Sequence, residues 1–187
     1  VVRRMSAGPV THPARRIGDV SADVVRPTAS GVAEFDRVLG GGLTPGAVIL
    51  LAGEPGVGKS TLLLATARSW AAQGHGPVLV VTGEESAAQV RLRAERMKAI
   101  HEEIYLAAEG DLASLLGQVE AVRPRLLIVD SVQTIASGSV DGSAGGVSQV
   151  RAVAAAITAV AKERNMACVL VGHVTKDGAI AGPRTME

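Results

Sequence analysis

Residues 48 to 61, Val-Ile-Leu-Leu-Ala-Gly-Glu-Pro-Gly-Val-Gly-Lys-Ser-Thr, constrain this chain more than any other stretch. An apolar run of strand length leads into Gly53-Glu54-Pro55-Gly56-Val57-Gly58-Lys59-Ser60-Thr61, a complete phosphate-binding P-loop, and a helix-patterned run from Thr61 to Gln73 follows. Such a loop surrounds phosphates with backbone N–H groups, and glycine serves where the chain bends sharply or where a side chain would block the approach. Gly53, Gly56 and Gly58 meet that need. Lys59 can reach the β and γ phosphates, the Ser60 hydroxyl can join the coordination shell of Mg²⁺, and the helix N-terminus favours negative charge. A glycine-rich turn that matches the pattern by chance would lack the flanking strand and helix.

At 187 residues the chain is long enough for one well-buried α/β domain and short for two. Phe35, Trp70 and Tyr105 are its only aromatic residues, while 47% of the chain is apolar, so the core must be built from Val, Leu, Ile and Ala. That favours helices packed on a parallel sheet. A formal net charge of +1 argues against general electrostatic attraction to nucleic acid or membrane, so any DNA contact has to be local. The single cysteine, Cys168, sits in an apolar run and excludes an intrachain disulfide or a multi-cysteine zinc site. No run reaches the roughly 18 to 20 apolar residues of a membrane span. The first residues lack the apolar segment of a secretory signal, so a reducing, cytoplasmic setting is expected.

Residues 1 to 30, rich in Pro, Arg, Ser and Thr, are expected to be a flexible arm or linker, with 31 to 187 as the folded domain. Arg3, Arg4, Arg15 and Arg16 suit a solvated tail better than a polyanion site. Val32, Phe35, Val38 and Leu39 fall at helical spacing before Gly40 to Gly42 stop the helix. Strands are predicted at Val78 to Thr82, weakly at Ile104 to Ala107, at Arg125 to Asp130 and at Cys168 to Val171. Between them, helices are predicted from Ala87 to about Ile100, capped by Ser86, from Leu112 to Val122 and from Val147 to Arg164. The charges of the first, Arg93 among them, are expected on a solvated face. The Gly- and Ser-rich residues 137 to 146 are predicted to be a mobile loop, and 176 to 184 a second flexible stretch.

Strands alternating with helices predict a doubly wound, mostly parallel sheet, which binds ligands beyond the carboxyl ends of its strands. Glu84 and Glu85, Asp130, and His173 with Lys176 all follow strands and would converge on the P-loop. Asp130, ending an apolar strand, is the expected Walker-B acid for Mg²⁺. Hydrolysis needs a carboxylate to orient or deprotonate water; Glu84 is preferred, although either acid also suits a helix first turn. His173 is a candidate γ-phosphate sensor or simply a hydrogen-bonding strand end.

With these pieces in place, the chain resembles the ATPase core of the RadA (Sms) family of bacterial DNA-repair proteins, in the RecA superfamily. The marks are Glu34-Phe-Asp-Arg-Val-Leu-Gly-Gly-Gly-Leu43, the P-loop through Leu64, Thr82-Gly-Glu-Glu-Ser86, Leu126-Leu-Ile-Val-Asp-Ser-Val-Gln-Thr-Ile135 and Gly172-His-Val-Thr-Lys-Asp-Gly178. The resemblance implies a RecA-like P-loop fold in which the last strand lies between the P-loop and Walker-B strands. It implies ATP or ADP with Mg²⁺, Lys59, Ser60 and Thr61 on phosphate and metal, Glu84 as catalytic glutamate, Asp130 as Walker-B acid and His173 at the sensor position. It further implies a hexameric ring that moves on single-stranded DNA and promotes branch migration, with a RecA-type recombinase as a candidate partner. The loops at 137 to 146 and 176 to 184 would face DNA, with Lys176 and Arg184 as backbone-contacting cations. Family members begin with a four-cysteine zinc module and end with a Lon-protease-like domain. This chain carries neither, and it stops before the family's Lys-Asn-Arg-Phe-Gly motif, so it is expected to be an excised core without a zinc site. The competing expectation is a RecA-like module whose nucleotide state controls ring assembly around a protein client.

Overall fold

A computed structural model describes residues 7–10, 13–21 and 25–174. In chain order the elements are α1 (Ala33–Val38), β1 (Val48–Gly53), α2 (Lys59–Ala72), β2 (Val78–Thr82), α3 (Ala87–Arg96), β3 (Ile104–Ala108), α4 (Leu112–Val122), β4 (Leu126–Asp130), α5 (Val147–Arg164) and β5 (Ala167–His173). The described residues form one five-stranded sheet of order β1-β5-β4-β2-β3 in which every pairing is parallel. This is the doubly wound α/β architecture of a RecA-like P-loop core. β5 lies between the P-loop strand and β4, as expected.

The two faces of the sheet are covered by different helices, which is why β2, β4 and β5 are apolar at nearly every position. Alternate residues split between two cores. Leu79, Leu127 and Cys168 pack with Leu115 of α4 and Ile157 of α5, whereas Val80, Ile128 and Val169 pack with Leu63 and Trp70 of α2. Burial pushes the Cys168 thiol far above its ordinary range, in keeping with a small core residue. Among the described residues no helix is long and apolar enough to cross a membrane.

The N-terminal segment is exposed where it is described as far as Pro27, and it meets the core just beyond. Thr28 and Leu43 exchange two backbone hydrogen bonds of 2.8 Å, and Ser30 is fully buried. Gly42 makes this possible: at φ 138° a Cβ there would stand 2.1 Å from the Thr28 carbonyl oxygen.

Three departures from the sequence expectation have a visible physical cause. α3 stops at Arg96 rather than near Ile100, because Lys98 adopts a left-handed conformation and Ala99 N–H returns to the Ala94 carbonyl at 2.7 Å. That is a Schellman stop without the usual glycine. β5 begins one residue earlier and continues two residues further, because its pairing with β1 runs on until His173 stands beside Gly53. Residues 137 to 146, expected to be a mobile loop, are tied down by one side chain. Gln149, 2% exposed, accepts from Ser137 N–H at 2.7 Å and donates to the carbonyls of Ser137, Val140 and Gly142 at 3.1, 2.5 and 3.2 Å.

Candidate nucleotide-binding site

The carboxyl ends of β1, β5, β4 and β2 meet at a cleft of about 310 Å³, in the order that the sheet dictates. The loop between β1 and α2 forms one wall. Gly56 and Gly58 have φ of 82° and 91°, a region that other residues enter only with strain. Gly53 is different: a Cβ there would meet Val57 Cγ2 at 3.4 Å and Lys59 Cδ at 3.7 Å, ordinary contact distances. Pro55, Gly56, Gly58, Lys59, Ser60 and Thr61 line the cleft, whereas Gly53, Glu54 and Val57 do not.

Lys59, the first residue of α2, is buried, and its ammonium donates to the carbonyls of Gly53 at 2.8 Å and Glu54 at 2.6 Å. The lysine is thus folded into its own loop. Ser60 Oγ donates to Asp130 Oδ2 across the cleft. One hydroxyl and one carboxylate suit Mg²⁺, a hard cation that takes its remaining ligands from substrate phosphates and water. Positive-φ glycines, a helix N-terminus, a lysine and this oxygen pair fit a nucleotide phosphate chain with its metal.

Glu84 occupies the opposite wall. Its Oε1 accepts from the fully buried Ser131 Oγ at 2.9 Å and lies 3.0 Å from His173 Nε2. Because His173 is in register with Gly53 and Ser131 follows β4, this one oxygen joins three strand ends. Glu85 turns the other way, to an ion pair with Arg93 of α3, and its N–H donates to Thr82 Oγ1 at 3.1 Å. The two neighbouring acids, of which the sequence reading prefers Glu84 for catalysis, have different partners: Glu84 joins the strand-end network and Glu85 anchors the turn into α3.

Arg93 corrects an expectation. It was assigned to a solvated face, but it lines the cleft and its side chain is only 24% exposed, because α3 starts so close to β2 that Glu85 can reach back to it. Ser131 carries no site expectation from sequence; its place directly after Asp130, the acid that ends β4, is its only signal. Gln133, two residues on, donates to the His173 carbonyl at 3.2 Å. His173 Nδ1 and Gln133 Oε1 are buried without partners at this junction. Lys176, Arg184 and the stretch 176 to 184 lie outside the described residues. A larger hollow of about 410 Å³ lies between α3 and β3, but its lining is mostly apolar and includes none of the phosphate-loop residues.

Comparison with known proteins gives a consistent picture. A family model described as an AAA domain matches residues 21–179. The chain is 57% identical over 187 residues to DNA repair protein RadA of Mycobacterium tuberculosis H37Rv, covering 99% of this chain and 38% of that protein. It is 55% identical over 188 residues to DNA repair protein RadA of Mycolicibacterium smegmatis, covering 98% of this chain and 40% of that relative. Against DNA repair protein RadA of Streptococcus pneumoniae the identity is 48% over 172 residues, covering 92% and 40%. The chain spans about two fifths of the length of these curated relatives.

Proposed function

This chain belongs to the AAA domain family and matches bacterial DNA repair proteins named RadA, and from that premise we propose that it binds Mg·ATP in the P-loop cleft and hydrolyses it as a RecA-like motor core. The backbone N–H groups of the P-loop and the N-terminus of α2 receive the phosphates. Lys59 exchanges the Gly53 and Glu54 carbonyls for phosphate oxygens. Ser60 and Asp130 would hold Mg²⁺, which would supply charge neutralisation for the phosphate chain. Glu84 orients the attacking water and accepts its proton. His173 senses the γ phosphate and passes its state to Glu84.

The observation that carries this reading is the double contact on one Glu84 oxygen. Ser131 and His173 both meet Oε1, which fixes the carboxylate and leaves Oε2 to take a hydrogen bond from water. Glu84→Gln keeps the shape but not the base. It should retain Mg·ATP affinity while single-turnover hydrolysis falls by about 100-fold or more, a typical loss for a general base. Unchanged hydrolysis would remove Glu84 from the mechanism.

We further propose that the motor acts on single-stranded DNA and drives branch migration as a cytoplasmic hexameric ring, alongside a RecA-type recombinase. The names of the relatives support a DNA substrate, and the loop 137 to 146 follows β4 on the same edge as the cleft. Lys176 and Arg184 are the proposed backbone-contacting cations. Filter retention of labelled single-stranded DNA, by this chain and by a version extended to the length of its relatives, tests the substrate. Retention that weakens steeply with salt supports DNA, and no retention at low salt favours a protein client.

A further inference from the structure

We propose that the amino-terminal edge of the sheet carries a second site, built from Trp70, His75 and Arg125, for a single small oxyanion such as phosphate or a carboxylate. A pocket of about 160 Å³ opens there, and its lining includes Thr28, Trp70, His75, Arg125 and Asn165. His75 precedes β2, Arg125 precedes β4 and Asn165 precedes β5, so the pocket lies at the end of the strands opposite the nucleotide cleft. Along the five-residue strand β2 the two ends are on the order of 15 Å apart.

Trp70 is 3% exposed, and its indole Nε1, which can only donate, has no hydrogen-bond partner. The buried Nε2 of His75 also has none, and the two rings meet edge to face with centroids 5.0 Å apart. Buried polar atoms in a folded chain are nearly always bonded, so two orphans on residues that line one polar pocket point to a missing acceptor at this place. Arg125 supplies the charge. Among the described residues no ion pair or hydrogen bond occupies its guanidinium, and no carboxylate lines the pocket.

Gly76 sets the direction of that arginine. At φ 101°, a Cβ on Gly76 would stand 2.6 Å from Arg125 Cγ, so the arginine stem lies against the bare face of the glycine. An indole N–H, an imidazole that can present N–H at Nε2 and a guanidinium together form a donor set for an oxyanion. Asn165 and Thr28 can each add one bond. A single water needs only about 15 Å³ of such space, far less than the pocket offers.

Trp70 is the only tryptophan in the chain, so its emission reports on this pocket alone. Inorganic phosphate and acetate are titrated separately at constant ionic strength against chloride, into the parent chain with a saturating non-hydrolysable Mg·ATP analogue and into Lys59→Ala, so that the P-loop cannot supply the response. A saturable change in emission with the same midpoint in both is expected, and the anion with the lower midpoint identifies the class. Arg125→Gln should raise that midpoint by about tenfold or more, the scale of a charge-assisted hydrogen bond, with the unfolding temperature unchanged. Trp70→Phe, followed by calorimetry because it loses the reporter, should also bind more weakly. No saturable change with either anion, or a midpoint that Arg125→Gln leaves in place, overturns the proposal.

Discussion

The two ends of one sheet treat their polar side chains in opposite ways. At the carboxyl end, Lys59 holds two loop carbonyls, Ser60 holds Asp130, Glu84 holds Ser131 and His173, and Glu85 holds Arg93. At the amino end, Trp70 Nε1 and His75 Nε2 hold nothing, and Arg125 is free among the described residues. Both ends hang from the same strands and the same two apolar cores, so the difference is not one of packing. At the carboxyl end, polar side chains hold each other in place, so a ligand there would exchange contacts rather than create them. At the amino end, a ligand would complete contacts. The exception proves useful: His173 Nδ1 and Gln133 Oε1, also without partners, sit where β5 meets the segment that follows β4.

The strongest way to break the comparison is Lys59→Ala. It removes the charge proposed to exchange the Gly53 and Glu54 carbonyls for phosphate, so calorimetric Mg·ATP affinity should fall about 100-fold or more. The emission of Trp70 should not change. If it does, the two ends are coupled through the sheet and the contrast between them is not one of independent sites.

A smaller effect sharpens the same contrast from within the cleft. Ser131→Ala deletes one of the two contacts on Glu84 Oε1 without touching the phosphate loop. With His173 still in place the carboxylate is loosened rather than lost, so kcat should drop about tenfold, the equivalent of one hydrogen bond, with KM within about twofold. Steady-state ATPase kinetics read both values. A parallel rise in KM would mean that Ser131 supports the whole cleft and does not position Glu84.

Legibility followed the same divide. β2, α4, β4 and α5 stand where the residues predict them, because strong apolar periodicity is cut off by Gly, Pro or a capping side chain such as Asp111, which accepts from Ser114 N–H at 2.9 Å. The early end of α3 was hidden, since a lysine in a left-handed turn has no sequence signature. Arg93 was hidden because a charged helix looks solvated until its distance from Glu85 is known. The convergence of Lys59, Glu84, Asp130 and His173 on one cleft was visible as four strand ends, and the preference for Glu84 over Glu85 came from the same positions, but the partners of the two acids, Ser131 and His173 for one and Arg93 for the other, had no sequence signal. Trp70 and His75 offered no motif at all; their pocket exists only because α2 and the turn before β2 fold together.

Gln149 provides the last and smallest test, because its removal would give the carboxyl end the unpartnered character of the amino end. It had a signal: Gln149, Val153, Ile157 and Ala161 recur every four residues and are the buried stripe of α5, so an amide occupies a position made for an apolar side chain. Its oxygen takes Ser137 N–H, and its nitrogen serves the carbonyls of Ser137, Val140 and Gly142. Gln149→Ala orphans these groups and should cost about 1 to 3 kcal/mol in denaturant unfolding. Amides from 137 to 146 should exchange faster with solvent, while Mg·ATP affinity stays within about twofold, since none of these residues lines the cleft. Gln149→Glu separates hydrogen bonding from packing. It keeps the volume and the oxygen that Ser137 N–H donates to, but turns a carboxylate oxygen toward three carbonyls, so it should destabilise at least as much as Ala. If Glu were the milder of the two, volume rather than hydrogen bonding would be holding the loop.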